Sequence, residues 1–152
     1  MKKRFERAAV VLVVVFVAAQ FVRPEPANST TDPNQSIQAQ AGTASGLAAA
    51  LDRSCGDCHS NHTVWPWYTQ VAPLSWLMAS TVTEARKAVN FSEWGTYSPA
   101  ARRTLLSASC DDVSDGKMPG PYTWVRPEAR LSPREIETIC AAARQAEASA
   151  AP

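Results

Sequence analysis

The chain has 152 residues, a length that accommodates one compact domain with flanking segments and excludes a second core of comparable size. Its net charge is +1, but five of the 15 basic residues lie before residue 24, and the remainder carries ten basic and thirteen acidic residues. That remainder, with a net charge of −3, lacks the basic face that neutralises phosphates, so nucleic-acid binding is excluded.

The N-terminus combines a basic flank with an apolar run. Residues 1–7 carry four basic side chains, and an unbroken apolar stretch follows from Ala8 to Ala19. Such a segment is either a signal peptide cleaved after Ala19 or an uncleaved signal anchor. From Phe5 to Val22 it would form about 27 Å of helix, close to the hydrocarbon thickness of a bilayer. We favour a transmembrane anchor within residues 1–23, with the basic flank in the cytoplasm and the rest of the chain outside.

The segment after the anchor has the composition of a linker. Residues 24–46 are rich in Pro, Ser, Thr, Asn and Gln, and Ile37 is their only large apolar residue. Because such a segment buries too little surface to fold, it is predicted to be flexible. The folded domain is expected over residues 47–146, and residues 147–152 are expected to form a disordered tail.

The first half of this domain predicts two helices. Leu47 and Leu51 lie four residues apart ahead of Cys55, which indicates a short helix that ends at a pair of cysteines. A second helix is expected from Pro73 to Val89. Its apolar stripe consists of Leu74, Leu77, Met78 and Val82.

The second half of the domain predicts two more helices and a bond between them. Ser98-Pro99 has the N-cap and first-turn residues of a helix start, and Ser132 to Glu135 has the spacing of a capping box. Cys110 and Cys140 lie on the inward stripes of these helices. In an oxidising compartment they are expected to form a disulfide, and the alternative is two buried thiols. No segment alternates as a strand does, so the predicted fold class is all-α.

One short motif carries specific chemistry. Cys55-Gly-Asp-Cys58-His59 is a Cys-x-x-Cys-His sequence, the pattern that attaches a haem through two thioether bonds and provides a histidine as axial ligand to the iron. A zinc site is disfavoured because the two histidines, His59 and His62, are crowded beside Cys58. A redox dithiol is disfavoured because the expected strand-helix-strand unit is missing.

A second axial ligand is sought among the methionines, since a thioether is common in cytochromes that transfer electrons. Met118 lies in Asp115-Gly-Lys-Met-Pro-Gly-Pro121, a segment too rich in Gly and Pro to form a helix or strand. Met78 lies on a helical apolar stripe, where core packing is the ordinary role. The predicted haem-iron ligands are therefore His59 and Met118.

Several longer stretches carry a family resemblance: residues 57–68, 71–76, 90–97, 116–119 and 122–132. Through them the chain resembles the haem-binding domain family of membrane-anchored, single-haem c-type cytochromes. The resemblance implies a cytochrome-c-like helical fold, haem on the Cys-x-x-Cys-His motif and a methionine ligand from the Met-Pro loop. The chain departs from the family pattern at Thr81 and Arg126, which stand where the family usually has histidines, and their absence removes two rival ligands.

Together these features predict a c-type cytochrome that carries one covalent haem c and transfers electrons. It is predicted not to be an enzyme, because a haem with two protein ligands leaves no open iron position and no catalytic constellation appears elsewhere. Its partners would be redox proteins, besides the membrane bound by the anchor. The expected location is the bacterial inner membrane as a single-pass protein with its haem domain in the periplasm, or the periplasm itself after cleavage. The alternative is a haem-based sensor or small-ligand-binding protein in which Met118 is displaced.

Overall fold

The structure, a computed structural model, describes residues 1–24, 27–41 and 46–149. Over these residues it consists of the helices α1 (Lys2–Ala19), α2 (Ile37–Ala41), α3 (Gly46–His59), α4 (Leu74–Ala88), α5 (Pro99–Ser114) and α6 (Pro133–Ala148). Short 3₁₀ helices lie between them at Pro33–Gln35, Trp67–Gln70, Phe91–Thr96, Gly120–Trp124 and Pro127–Ala129. The described ranges contain no strand, which confirms the predicted all-α class.

Helices α5 and α6 begin at the predicted capping residues. The Ser98 hydroxyl accepts a hydrogen bond of 3.2 Å from the amide of Ala101, which satisfies one of the free N–H groups of the first turn of α5. Ser132 and Glu135 form the predicted capping box at the start of α6. A disulfide joins Cys110 of α5 to Cys140 of α6, with their Cα atoms 4.8 Å apart, so the two helices are linked covalently.

The hydrophobic core lies where α3, α5, α6 and the 91–96 turn meet. Its buried members are Ile37, Leu51, Val89, Phe91, Trp94, Leu106, Val113, Ile139 and Ala143. The Phe91 and Trp94 rings lie 6.1 Å apart, within the range in which aromatic pairs attract each other. The predicted inward stripes of α5 and α6 are thereby confirmed.

Residues 27–41, predicted to be part of a flexible linker, instead contain a helix that packs on the domain. Ile37 begins α2 and is only 1% exposed within the core cluster. Helix α2 packs against α3 and against the 91–96 turn. Ile37, the one large apolar residue of this polar segment, therefore anchors α2 in the core of the domain. Residues 25–26 and 42–45 of the predicted linker lie outside the described residues. Residues 150–152 of the predicted disordered tail lie outside them as well. The first residues of that predicted tail are helical and continue α6.

The predicted stripe of α4 is only partly buried. Val82 is 2% exposed, but Leu74 and Leu77 are 45% and 61% exposed. The other buried position of α4 is Ser75, seven residues before Val82. The buried face of α4 is therefore narrower than the apolar stripe predicted from the sequence. Leu74 and Leu77 therefore present apolar surface to the outside of the domain.

The N-terminal helix does not support the predicted transmembrane anchor. Helix α1 ends at Ala19 and includes five charged side chains within its first six residues, Lys2–Arg7. Among the helices in residues 1–24, 27–41 and 46–149, none combines the length and the apolar character needed to cross a membrane. The alternative of a cleaved signal peptide stays a prediction.

The residues after α1 contact the domain directly. The Gln20 side chain accepts a hydrogen bond of 3.0 Å from the amide of Ala72 and donates one of 3.4 Å to its carbonyl. Arg23 donates to the carbonyl of Gln70, and the indole N–H of Trp76 donates to the carbonyl of Val22. Residues 20–23 are therefore held against the segment that leads into α4.

The capping box of α6 predicts a dependence of stability on pH. The hydroxyl and amide of Ser132, together with Arg53, lower the pKa of Glu135 from 4.5 to about 2. Since the folded-state pKa is depressed, this stabilisation is complete above about pH 4.5 and is lost as the pH falls through 2. Glu135→Gln is expected to be less stable at neutral pH and to lose less stability between pH 4.5 and 2, measured by urea unfolding. Glu137→Gln on the same helix, in an exposed pair with Arg144, is the control, and equal pH profiles would contradict the prediction.

Candidate functional site

The last turn of α3 presents the predicted haem-attachment residues together. Cys55, Cys58 and His59 all belong to α3, and the two cysteines lie three residues apart on one side of the helix. Both thiols are free and half-buried. The sequence prediction that a helix ends at the cysteine pair is confirmed.

The imidazole of His59 is oriented by the backbone. Its Nδ1 lies 3.2 Å from the carbonyl oxygen of Val89, and because a carbonyl only accepts, Nδ1 carries the hydrogen. The other ring nitrogen, Nε2, keeps its lone pair for a metal, which is the arrangement of metal-binding histidines. Burial lowers the pKa of His59, so the neutral form is favoured. The Phe91 ring lies 6.0 Å from the imidazole.

A buried polar network connects the chain after His59 to the turn that provides Val89 and Phe91. The amide of Asn61 donates to the Ser92 hydroxyl at 2.9 Å, and Asn90 donates to the Asn61 side chain at 3.0 Å. These bonds satisfy polar groups that burial would otherwise penalise. They also fix the segment that bears the carbonyl partner of the imidazole. This network could not be predicted from the sequence because its two halves lie about thirty residues apart.

Arg86 attaches the N-terminal segment to the same region. Its guanidinium donates to the carbonyl of Ser60 at 2.7 Å and to the hydroxyl of Thr63 at 2.8 Å. On its other side it donates to the carbonyl of Ala27 at 2.8 Å and to the side chain of Asn28 at 2.9 Å. One side chain of α4 therefore joins the chain after the motif to residues 27–28.

The two thiols differ from those of a redox dithiol. Burial, followed by the nearby Cys58, raises the pKa of Cys55 to about 12. Burial and then Asp57 raise the pKa of Cys58. Reactive cysteines of redox motifs have lowered pKa values. The zinc alternative gains no support either, since within the described residues no three His, Cys, Asp or Glu side chains are grouped to hold a metal ion.

Asp57, inside the motif, is the centre of a cluster formed with Val64, Tyr122 and Arg126, called here the Asp57 cluster. The Tyr122 hydroxyl donates to Oδ2 of Asp57 at 2.6 Å, and Nη2 of Arg126 lies 3.4 Å from the same oxygen. The amide of Val64 donates to Oδ1 at 3.3 Å. Tyr122 lies 65 positions along the chain from Asp57, so no local pattern could have revealed this contact.

Met118 lies on the loop that follows α5. The amides of Lys117 and Met118 donate to the carbonyl of Asp112 at 2.9 and 3.1 Å. Gly116 and Gly120, on either side of Met118, have φ values of +70° and +54°, which favour glycine. The Met118 side chain is 44% exposed, whereas its rival Met78 is half-buried on α4. The loop reaches the end of α3 through Tyr122 and Arg126.

Several described residues of the domain have side chains that suit a flat apolar group with acidic substituents. Large apolar side chains are exposed in several elements, including Trp67 at 79%, Leu77 at 61% and Trp124 at 81%, and such surface suits contact with an apolar ring. The buried indole N–H of Trp65, six residues after His59, has no hydrogen-bond partner among the described residues. A carboxylate of a bound group would satisfy it. The donor set of the motif and these side chains therefore fit haem.

One comparison with known proteins gives a match. A profile of a protein family described as the haem-binding domain matches residues 14–145. This range includes Cys55, Cys58, His59 and Met118, together with the Asp57 cluster. No curated protein and no solved structure matches the chain.

Proposed function

We propose that this chain, which belongs to the haem-binding domain family, is a c-type cytochrome that binds one haem covalently and transfers electrons. The observation that carries the proposal is the last turn of α3. There, two unbridged thiols lie beside an imidazole whose Nδ1 is bonded to the carbonyl of Val89. This combination suits covalent attachment and iron ligation together.

Each residue of the motif has a separate role in the proposal. The thiols of Cys55 and Cys58 would each add across a vinyl group, forming a carbon–sulfur bond while the thiol hydrogen passes to the neighbouring carbon, so the addition consumes no oxidant. His59 would bind the iron through Nε2, and Val89 would keep the ring in position. Bound haem would supply a one-electron couple at its iron.

Met118 is the proposed second axial ligand. A thioether is a soft, neutral ligand, and its pairing with histidine raises the reduction potential of a haem. The backbone bonds to Asp112 and the two glycines place Met118 on an exposed, turning loop, where its side chain is not needed for core packing. With both iron positions filled by protein, we propose electron transfer to redox partner proteins and no enzymatic role.

Export belongs to the proposal as well. The basic flank and apolar run of α1 have the order of a secretory signal. The Cys110–Cys140 bond suits the oxidising periplasm. We therefore propose that the haem domain acts in the bacterial periplasm.

The proposed attachment is tested by extracting protein that was produced with the bacterial haem-attachment machinery. The intact protein is expected to keep its pigment in acidified acetone and to give the pyridine haemochrome spectrum of a haem with two thioether bonds. A Cys55→Ala/Cys58→Ala variant is expected to lose all covalent pigment. Cys110→Ala/Cys140→Ala is the matched control and should keep it. Colourless intact protein, or pigment that passes into the solvent, would refute the proposal.

A second candidate function is a haem-based sensor or small-ligand-binding protein. The observation in its favour is the 44% exposure of Met118, since a ligand on an exposed loop is easier to displace than one in the core. The two candidates differ in whether carbon monoxide binds the reduced protein rapidly, as only the sensor would allow.

A further inference from the structure

We propose that Tyr122, through its hydrogen bond to Asp57, is a positioning residue that holds the Met118 loop against the haem-attachment turn. The inference rests on the proposed function, because it identifies what keeps the proposed methionine ligand in place. The Asp57 cluster is the structural feature that carries it.

The acceptor in this bond belongs to the attachment turn itself. Asp57 lies directly before Cys58 and two residues after Cys55. Its side chain is only 18% exposed, and both of its oxygens are used, Oδ1 by the amide of Val64 and Oδ2 by Tyr122. Any group held by Asp57 is therefore held at a defined place beside the thioether-forming side chains.

The donors come from the segment that follows Met118. Tyr122 is four residues beyond Met118, and the amide of Arg126 donates to the carbonyl of Tyr122 at 2.9 Å. This backbone bond keeps the hydroxyl and the guanidinium on the same side of the turn, where both face Oδ2 of Asp57. The pair therefore approaches the attachment turn as one unit.

The loop has a second attachment, at Lys117 and Met118 themselves. There the amides of Lys117 and Met118 donate to the carbonyl of Asp112 at the end of α5. Met118 thus lies between one attachment to α5 and one to the motif on α3. Between them lies Gly120, with a positive φ of +54°, whose backbone has wide conformational freedom. Loss of the Tyr122 bond would leave the longer contact of Arg126 with Asp57, at 3.4 Å, as the remaining link between this segment and the motif.

The hydrogen bond from Tyr122 to Asp57 is stronger than one between two neutral groups. An O–H donor that faces a carboxylate at 2.6 Å is charge-assisted, and such bonds are about twice as strong as neutral ones. Burial, followed by the hydrogen bond to Asp57, raises the pKa of Tyr122, so the hydroxyl keeps its proton and donates at neutral pH.

The test is Tyr122→Phe in the full chain with attached haem. Removing one hydrogen bond to a charged group is expected to raise the population with Met118 dissociated by roughly tenfold. Carbon monoxide binds only that population, so its observed binding rate in the reduced protein should rise by about the same factor. The sulfur-to-iron charge-transfer band of the oxidised protein should weaken in parallel. Tyr68→Phe, which also removes one phenol hydroxyl, is the matched control and should leave both readouts unchanged.

Two further measurements keep the result unambiguous. Asp57→Asn keeps an acceptor oxygen but removes the charge that both Tyr122 and Arg126 face, and it is expected to accelerate carbon monoxide binding as well. Tyr122→Phe is unfolded if it loses its helical circular dichroism. In that case the carbon monoxide binding rate and the sulfur-to-iron band of Asp57→Asn decide the test instead. An unchanged rate and band in the deciding variant would overturn the inference while the proposed function stands. An intact protein without covalent haem or without the sulfur-to-iron band would overturn the proposed function itself.

Discussion

Met118→Ala is expected to bind carbon monoxide rapidly in the reduced state, whereas the intact protein is expected to keep its spectrum immediately after the gas is added and to bind it only slowly. The reason is that the substitution removes the proposed thioether ligand and leaves the iron open to the gas. The effect should be large, from no detectable binding on mixing to saturation of every haem. Absorption spectra of the reduced protein before and after addition of carbon monoxide measure it, and the sulfur-to-iron band of the oxidised protein should be absent from the variant.

Met78→Ala is the control for this experiment. Met78 is half-buried on α4, and its loss should affect stability but leave the spectrum and the response to carbon monoxide unchanged. If Met78→Ala opens the iron and Met118→Ala does not, the two methionines exchange roles and the ligand assignment is wrong. Rapid binding by the intact protein would favour the sensor over the electron carrier.

Replacement of both Cys110 and Cys140 by alanine is expected to lower the free energy of unfolding by about 3 to 4 kcal/mol. The bond connects cysteines 30 positions apart, and closing a loop of that length restricts the unfolded chain far more than the folded one. The loss is large against the total stability of a single domain, which is about 5 to 15 kcal/mol. Urea unfolding followed by circular dichroism gives the midpoints from which the difference is obtained.

Reductant provides the internal control for this measurement. Adding it should move the unfolding midpoint of the intact protein close to that of the double variant, and it should not move the variant's own midpoint. The covalent pigment should stay in place throughout, because the proposed thioether bonds use Cys55 and Cys58. Equal midpoints for the oxidised intact protein and the variant would show that the disulfide adds nothing to stability.

The helices were predictable where the chain itself signals their starts. The Ser98-Pro99 pair and the box from Ser132 to Glu135 act over one turn, and the structure has helix starts at both places. Local hydrogen bonds of this kind depend on residues three or four positions apart. The motif at Cys55 to His59 is equally local, which is why its position at the end of α3 could be expected.

Contacts between distant segments were not predictable in this way. Ile37 has no large apolar neighbour at helical spacing, so nothing in residues 24–46 indicates that it enters the core. The Asp57 cluster likewise depends on how the Met118 loop folds back over the end of α3. The exposed leucines of α4 illustrate the reverse error, since an apolar stripe indicates which face is apolar but not which partner covers it.

The burial of Ile37 also matters for the imidazole at the proposed iron site. Helix α2 packs on the 91–96 turn, and Phe91 in that turn lies 6.0 Å from the ring of His59. Helix α2 and the imidazole of His59 therefore both lie against the 91–96 turn. A shortened chain that starts at Leu47 would leave this turn uncovered on one side, so its spectra and midpoint potential would describe a different haem environment from that of the intact protein.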